Sequence, residues 1–174
     1  NYISINEIVT KFNSSTLISK YNNDGVKLVA SKSDNTIVIT YTKDNNNTAI
    51  TIPQMSNELE ITLNSDNEEL YMDIYKELAN IVCTYYGSSE DNCRTTIDKI
   101  KSDTQGIRFV TNGDNKYVYI DITKGVDVNA STNTYTEETK VSLDNVSYVL
   151  NISDTEIKNI VVDNGDTAIK VSGG

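Results

Sequence analysis

The sequence predicts an α+β fold in which an antiparallel β-meander packs against one long and one short helix. Apolar residues recur at helical spacing near the N terminus and between residues 70 and 100, whereas four segments between residues 26 and 63 alternate apolar and polar residues. The eleven tyrosines and the many threonines and asparagines suit half-buried strands and the turns between them. We therefore expect a short N-terminal helix, a four-strand meander, the two helices and additional C-terminal strands.

The first helix is predicted from an apolar face and a capping signal. Apolar residues stand at positions 5, 8, 9 and 12, which lie on one side of a helix. Ser4 followed by Glu7 forms a capping box, so the helix should begin there and end near residue 13. Residues 14–21 predict a further helical turn before the turn at residues 22–25.

The four strands of the meander are predicted by the alternation with a period of two. Short segments of turn-forming residues separate them at residues 31–35, 43–47 and 53–57. Each predicted strand has one apolar face and one face of Thr, Lys, Glu or Ser residues. We therefore expect helices to cover one side of the sheet and water to meet the other.

A long helix and a shorter one are predicted to follow the meander. Ser65 and Glu68 form a second capping box, apolar residues continue at helical spacing to residue 85, and Gly87 stands where a C-terminal cap belongs. Cys83 falls near the end of the long helix and Cys93 near the start of the shorter one, so a disulfide would join the two helices. An even, closely spaced pair of cysteines fits an oxidising compartment. Two buried thiols in a cytosolic protein are the alternative.

Strands are predicted to resume in a hairpin and to continue to the C terminus. Segments 107–110 and 117–120 flank a turn that contains Asn112-Gly113, a strong hairpin signal. The polar segment 124–136 is the candidate domain boundary. We therefore predict an α+β domain over residues 1–124 and a β-rich extension over residues 125–174, which either completes the main sheet or forms a small subdomain.

Charge and composition argue against several classes of function. The 174 residues carry 15 Lys and Arg against 25 Asp and Glu, a formal net charge of -10, which makes nucleic acid and anionic membrane surfaces poor partners. The absence of His rules out His-dependent triads and His-ligated zinc or iron. No glycine-rich phosphate loop is present, so no cofactor is predicted. We therefore expect a protein that is not an enzyme.

The same features indicate a location outside the cytoplasm. The chain has no apolar run long enough to span a membrane, and it begins at Asn1 without a basic and apolar leader. A composition low in Pro and rich in Asn and Thr, with two close cysteines, is typical of secreted or surface-anchored bacterial proteins. We expect an extracellular or cell-envelope protein. Anchorage through a removed N-terminal segment, the oligomeric state and the source organism are left open.

Two tyrosines are the most specific candidate for a binding surface. Tyr117 and Tyr119 alternate on one predicted strand, while Val118 and Ile120 take its opposite face. An exposed aromatic pair on a sheet suits the binding of a peptide or glycan. The alternative is that both rings pack as ordinary strand residues with their hydroxyls at the rim.

Acidic side chains supply weaker candidates. Adjacent acids at Glu68–Glu69, Glu90–Asp91 and Glu137–Glu138 could serve a carboxylate-dependent hydrolase, but the first two pairs suit helix N-termini and the third suits a polar connector. Turns at residues 44–47, 112–115 and 163–166 offer oxygen ligands to calcium. None of these turns matches a calcium-loop pattern, so no metal site is predicted.

The leading hypothesis is a non-catalytic secreted or cell-envelope module that binds a protein, peptide or glycan through an exposed sheet face or through strand edges. A carboxylate-dependent hydrolase is the first alternative and requires a pocket lined by carboxylates. A structural domain of a larger surface assembly is the second alternative. It requires the C-terminal strands to pair with a neighbouring molecule.

Overall fold

The computed structural model describes residues 1–128 in full and, beyond them, the backbone of strands at residues 137–143, 146–152, 157–163 and 168–171. The chain divides into two compact units, Asn1–Val128 and Asn129–Gly174. The predicted α+β class is confirmed, because helices and an antiparallel sheet together build the first unit.

The first unit follows the predicted order of elements. In chain order these are α1 (Ile5–Asn13), α2 (Thr16–Tyr21), β1 (Val26–Ser33), β2 (Thr36–Lys43), β3 (Asn46–Met55), β4 (Glu58–Thr62), α3 (Glu68–Tyr85), α4 (Glu90–Lys99), β5 (Ile107–Asn112) and β6 (Asn115–Asp121). Among the residues that the structure describes, none of the helices combines the length and the apolar character needed to cross a membrane.

The six strands form one antiparallel sheet in the order β1-β2-β3-β4-β6-β5. Alternate strand residues point to a single buried side, where the helices pack. Tyr75 on α3, for example, meets Phe109 on β5 edge to face, with 5.9 Å between ring centroids. The sheet therefore has one side covered by helices and one open side. The strand and helix residues that share the core include Leu28, Ile37, Ile39, Ile52, Leu59, Ile61, Val118, Ile120, Ile8, Phe12, Ile74 and Leu78.

The turn predicted at residues 53–57 is shorter than expected, because β3 continues through Met55. Pro53 is the last β3 residue paired with β2, opposite Thr36. The ladder between β3 and β4 holds only Gln54 and Met55 on the β3 side, so it stops one residue short of Pro53. Proline has no backbone N–H to donate to a ladder, and it is tolerated in a strand where no donor is needed.

Helix starts differ from the capping prediction at one position. Ser4 caps α1 as predicted, accepting the Glu7 N–H at 3.1 Å. The capping box predicted at Ser65 and Glu68 is wrong, because residues 65–67 form a 3-10 turn and α3 begins only at Glu68. Asn64 caps that turn by accepting the Asp66 N–H at 2.8 Å. An asparagine one residue earlier thus takes the capping position expected for the serine.

The second unit contains the predicted C-terminal strands, β7 (Glu137–Leu143), β8 (Val146–Ile152), β9 (Ile157–Asp163) and β10 (Ala168–Val171). They pair with one another in a four-stranded antiparallel sheet of order β10-β9-β8-β7. Residues 129–136 of the predicted linker and the centre of the turn at residues 163–166 lie outside the described residues.

Candidate functional site

The open side of the six-stranded sheet carries both tyrosines predicted as a binding surface. Tyr117 and Tyr119 alternate on β6 with Val118 and Ile120, which are buried in the core. Antiparallel register places Tyr119 opposite Glu60 on β4 and opposite Arg108 on β5. Three strands thus contribute one row of polar and aromatic side chains to the open side.

The ring and the hydroxyl group of Tyr119 are each held by a neighbouring side chain of this row. The Arg108 guanidinium lies over its ring, with 4.2 Å from Cζ to the ring centroid. Its hydroxyl donates to Glu60 Oε2 at 2.8 Å. That hydrogen bond to a carboxylate stabilises the protonated phenol, and it raises the pKa of Tyr119.

Arg108 crosses the Tyr119 ring to reach β4. Its Nε donates to Glu58 Oε2 at 3.1 Å and its Nη2 donates to Glu58 Oε1 at 2.9 Å. These two parallel bonds stabilise the charged guanidinium and raise the pKa of Arg108. Because the guanidinium covers one face of the Tyr119 ring, this tyrosine is fixed in place rather than freely exposed. We call Glu58, Glu60, Arg108, Tyr117 and Tyr119 the β4–β6–β5 row.

Tyr117 is the tyrosine of the row that no described side chain holds in place. It is half-buried and lies opposite Thr62 on β4 and Val110 on β5. Within residues 1–128, no hydrogen bond or aromatic pair holds its side chain. The predicted pair is therefore unequal, with Tyr119 bonded inside the row and Tyr117 available for contact.

Three asparagines occupy part of the free edge of β1. Asn13 at the end of α1 bonds both backbone groups of Ala30, and Asn22 Oδ1 accepts the Leu28 N–H at 2.8 Å. Asn23 closes the start of the strand through two backbone bonds with Val26, of 2.7 and 3.2 Å. Edge groups that would otherwise pair with a further strand are thus occupied.

The opposite edge, on β5, is also partly occupied. Thr104 exchanges two backbone bonds with Ile107, of 3.0 and 3.2 Å. Asp103 Oδ1 then accepts the Phe109 N–H at 2.7 Å. Both outer strands of the first unit's sheet are therefore occupied at part of their edges, whereas β3 pairs with β4 only at Gln54 and Met55.

The helical layer is joined by the predicted disulfide. Cys83 near the end of α3 bonds Cys93 near the start of α4, with a Cα–Cα distance of 5.9 Å. The two half-cystines are 1% and 0% exposed. The bond therefore lies inside the core and holds the corner between the two helices.

The acidic candidates of the first unit are not members of the β4–β6–β5 row. Glu68–Glu69 and Glu90–Asp91 lie in the first turns of α3 and α4, where negative charge favours a helix N-terminus. Glu137–Glu138 starts β7, so its predicted place in a connector is wrong. The turn at residues 44–47 uses Asp44 and Asn45 at positive φ, as a tight hairpin turn requires.

Arg108, Glu58 and Glu60 were not predicted as members of a site. The alternation of each strand does place them on polar faces, and that signal was available. Whether these side chains meet depends on which strands are neighbours in the sheet. The structure places β6 between β4 and β5.

Comparison with known proteins identifies no relative of this chain. No family model, no curated protein and no solved structure matches it. Function is therefore inferred from the chemistry of the described residues alone.

Proposed function

We propose that this chain is a non-catalytic secreted or cell-envelope module that binds a protein, peptide or glycan through the open side of its six-stranded sheet. The observation that supports this proposal is the β4–β6–β5 row. Its side chains are already ordered by the Arg108–Glu58 and Tyr119–Glu60 bonds. A partner that docks there has less side-chain freedom to remove, which favours binding.

The bonds on the two outer strands favour the face of the sheet over these two edges as the docking surface. A peptide that adds a strand to a sheet needs a row of unpaired backbone groups. On β1 and β5 those groups are bonded to Asn13, Asn22 and Asp103 instead. Strand addition at these positions of β1 and β5 would have to break these bonds first.

The side chains of the row indicate which kinds of partner could bind there. Tyr117 offers an aromatic surface for an apolar side chain or the C–H face of a sugar ring. Glu60 uses Oε2 for Tyr119, and its second oxygen can accept from a partner's donor. The formal net charge of -10 favours partners that are neutral or cationic over anionic ones.

The disulfide supports the proposed location. Disulfides persist in secreted proteins and in the cell envelope, and they are rare where thiols are kept reduced. A bond between Cys83 and Cys93 is compatible with an extracellular site of action.

The experiment is binding of labelled protein to a glycan array and to a peptide array, with wild type, Tyr117→Ala and Tyr2→Ala compared. Tyr2 is 70% exposed and precedes the first helix, so Tyr2→Ala controls for the loss of a tyrosine ring elsewhere. We expect array features that bind wild type and Tyr2→Ala equally, and that bind Tyr117→Ala about tenfold more weakly. The proposed surface is wrong if Tyr117→Ala binds as well as Tyr2→Ala, and peptides and glycans are wrong as its partners if no feature binds wild type.

A further inference from the structure

One edge of β3 is left without a neighbouring strand over most of its length. β3 pairs with β2 over residues 46–53, but its ladder with β4 holds only the last two residues of β3. If that ladder continued in the same register, Thr62 at the end of β4 would lie opposite Thr51. Residues 46–50 therefore extend past the end of β4.

The backbone groups of Asn47 and Ala49 form this open edge. Lys43 and Asn46 are paired across a two-residue turn, so Asn46 and every second residue after it bond β2. The residues between them direct their N–H and carbonyl groups to the other side of the strand. Among residues 1–128, no hydrogen bond reaches those groups of Asn47 and Ala49.

The open edge of β3 differs from the two outer edges of the sheet. On β1 and β5, side chains such as those of Asn13 and Asp103 bond outward backbone groups. On β3, the Asn47 side chain instead accepts the Thr42 hydroxyl of β2 at 2.7 Å, and its own strand edge stays unbonded. Residues 46–49 are exposed, so a further strand can reach this edge.

The open edge carries no charged side chain. Residues 46–52 read Asn-Asn-Thr-Ala-Ile-Thr-Ile, and Thr and Ile favour strands. Natural edge strands are commonly protected by Lys, by another charge or by Pro, and residues 46–52 contain none of these. Two copies of this segment would meet no like charge, although each chain carries a formal net charge of -10. Two acidic chains can therefore approach each other here without local repulsion.

We propose that the open edge of β3 pairs with the same edge of a second copy of this chain, as antiparallel strands related by a twofold axis. Asn47 of one copy then lies opposite Ala49 of the other, and both such pairs exchange N–H and carbonyl bonds. Thr48 lies opposite Thr48 of the second copy, and threonine pairs stabilise antiparallel strands. The contact uses no residue of the β4–β6–β5 row, so it goes beyond the function proposed above.

The first test is sedimentation of the full chain over concentrations from about 10 µM to 1 mM, with wild type, Ala49→Pro and Ala49→Ser compared. We expect the dimer fraction of wild type to rise over this range. Ala49→Pro removes the outward N–H without taking a bond from β2, so it should weaken dimerisation about tenfold or more. Ala49→Ser keeps the N–H and should dimerise as wild type does.

Opposite charges at position 48 test the twofold register. Thr48 is exposed, so Thr48→Lys and Thr48→Glu should keep the melting temperature of wild type, and they serve as the test if Ala49→Pro does not fold. Each variant alone places like charges face to face and should dimerise more weakly than wild type. An equimolar mixture of the two variants places opposite charges face to face and should recover dimerisation.

Three outcomes contradict the proposal. It is wrong if wild type stays a monomer up to about 1 mM, or if folded Ala49→Pro dimerises as well as Ala49→Ser. It is also wrong if the mixture of Thr48→Lys and Thr48→Glu dimerises no better than either variant alone. None of these outcomes depends on what the arrays show for Tyr117.

Discussion

Asn13 pairs with Ala30 as a neighbouring β-strand would. Its Nδ2 donates to the Ala30 carbonyl and its Oδ1 accepts the Ala30 N–H, both at 2.8 Å. The last residue of α1 therefore bonds the backbone N–H and carbonyl of one residue on the β1 edge. Exposed strand edges template association with other chains, so this contact joins helix docking to protection of the sheet edge.

Replacing Asn13 with Ala should reopen that edge. The Ala30 N–H and carbonyl lose their partners, and we expect a loss of about 1–2 kcal/mol in the free energy of unfolding. We also expect greater self-association than in wild type, because an unpaired edge segment can accept a second chain. Urea unfolding and light scattering over a concentration series measure the two effects.

Asn6→Ala is the control for the Asn13 variant, since it makes the same change at an exposed position of the same helix. If Asn13→Ala matches Asn6→Ala in both stability and association, the two bonds to Ala30 do not protect the edge.

Replacing Arg94 with Ala should lower the free energy of unfolding, because Glu77 then stays buried without a cation. The Glu77 side chain is 5% exposed, whereas that of Arg94 is 38% exposed. Arg94→Ala leaves a buried carboxylate without its cation, and we expect a loss of about 2 kcal/mol, below the range for fully buried pairs because Arg94 is partly solvated. Adding Glu77→Gln to that variant should recover most of the loss. Thermal and urea unfolding of both variants check this.

Arg108→Ala is the matched comparison, because its partner Glu58 is more exposed than Glu77. Exposed pairs contribute about 1 kcal/mol or less, so this variant should lose less stability than Arg94→Ala. Equal losses in the two variants would mean that burial of Glu77 does not set the cost.

The parts of this fold that follow local patterns were predictable, and the parts that depend on long-range pairing were not. Helical spacing and period-two alternation are read within one element, so the helices, the meander and the Tyr117 face could be predicted. Asn13 and Ala30 are 17 residues apart, and Arg108 and Glu58 are 50 apart. Their contacts depend on how α1 docks and on β6 lying between β4 and β5, which no local pattern encodes. The place of Pro53 inside β3 was not predictable either, because it depends on where the ladder with β4 ends.

Alkaline pH should destabilise the protein through four tyrosines with raised pKa values. Burial raises the pKa of Tyr21, Tyr75 and Tyr86, and the bond to Glu60 raises that of Tyr119. Above the ordinary tyrosine pKa of about 10, the unfolded chain releases these protons while the folded chain keeps them. Stability is therefore fully present below that pH and falls as the pH rises through it. Urea unfolding at a series of alkaline pH values measures the slope.

Tyr119→Phe should reduce that slope, and Tyr2→Phe should not, since the Tyr2 side chain is largely exposed. A tyrosinate absorbance titration in which every tyrosine ionises in one step at the ordinary pKa would contradict the prediction.

Burial of the disulfide should make it resistant to reduction in the folded protein. Cys83 and Cys93 are 1% and 0% exposed, so a thiol reductant reaches the bond only when the corner between α3 and α4 opens. Intact-mass measurement after treatment with reductant and alkylating agent should show no added label in buffer and two labels in denaturant. Label added in denaturant without reductant would show that the bond is absent, and rapid labelling in buffer with reductant would show that the corner opens readily. For the ten-residue separation, replacing both cysteines by Ala should cost about 3 kcal/mol of stability.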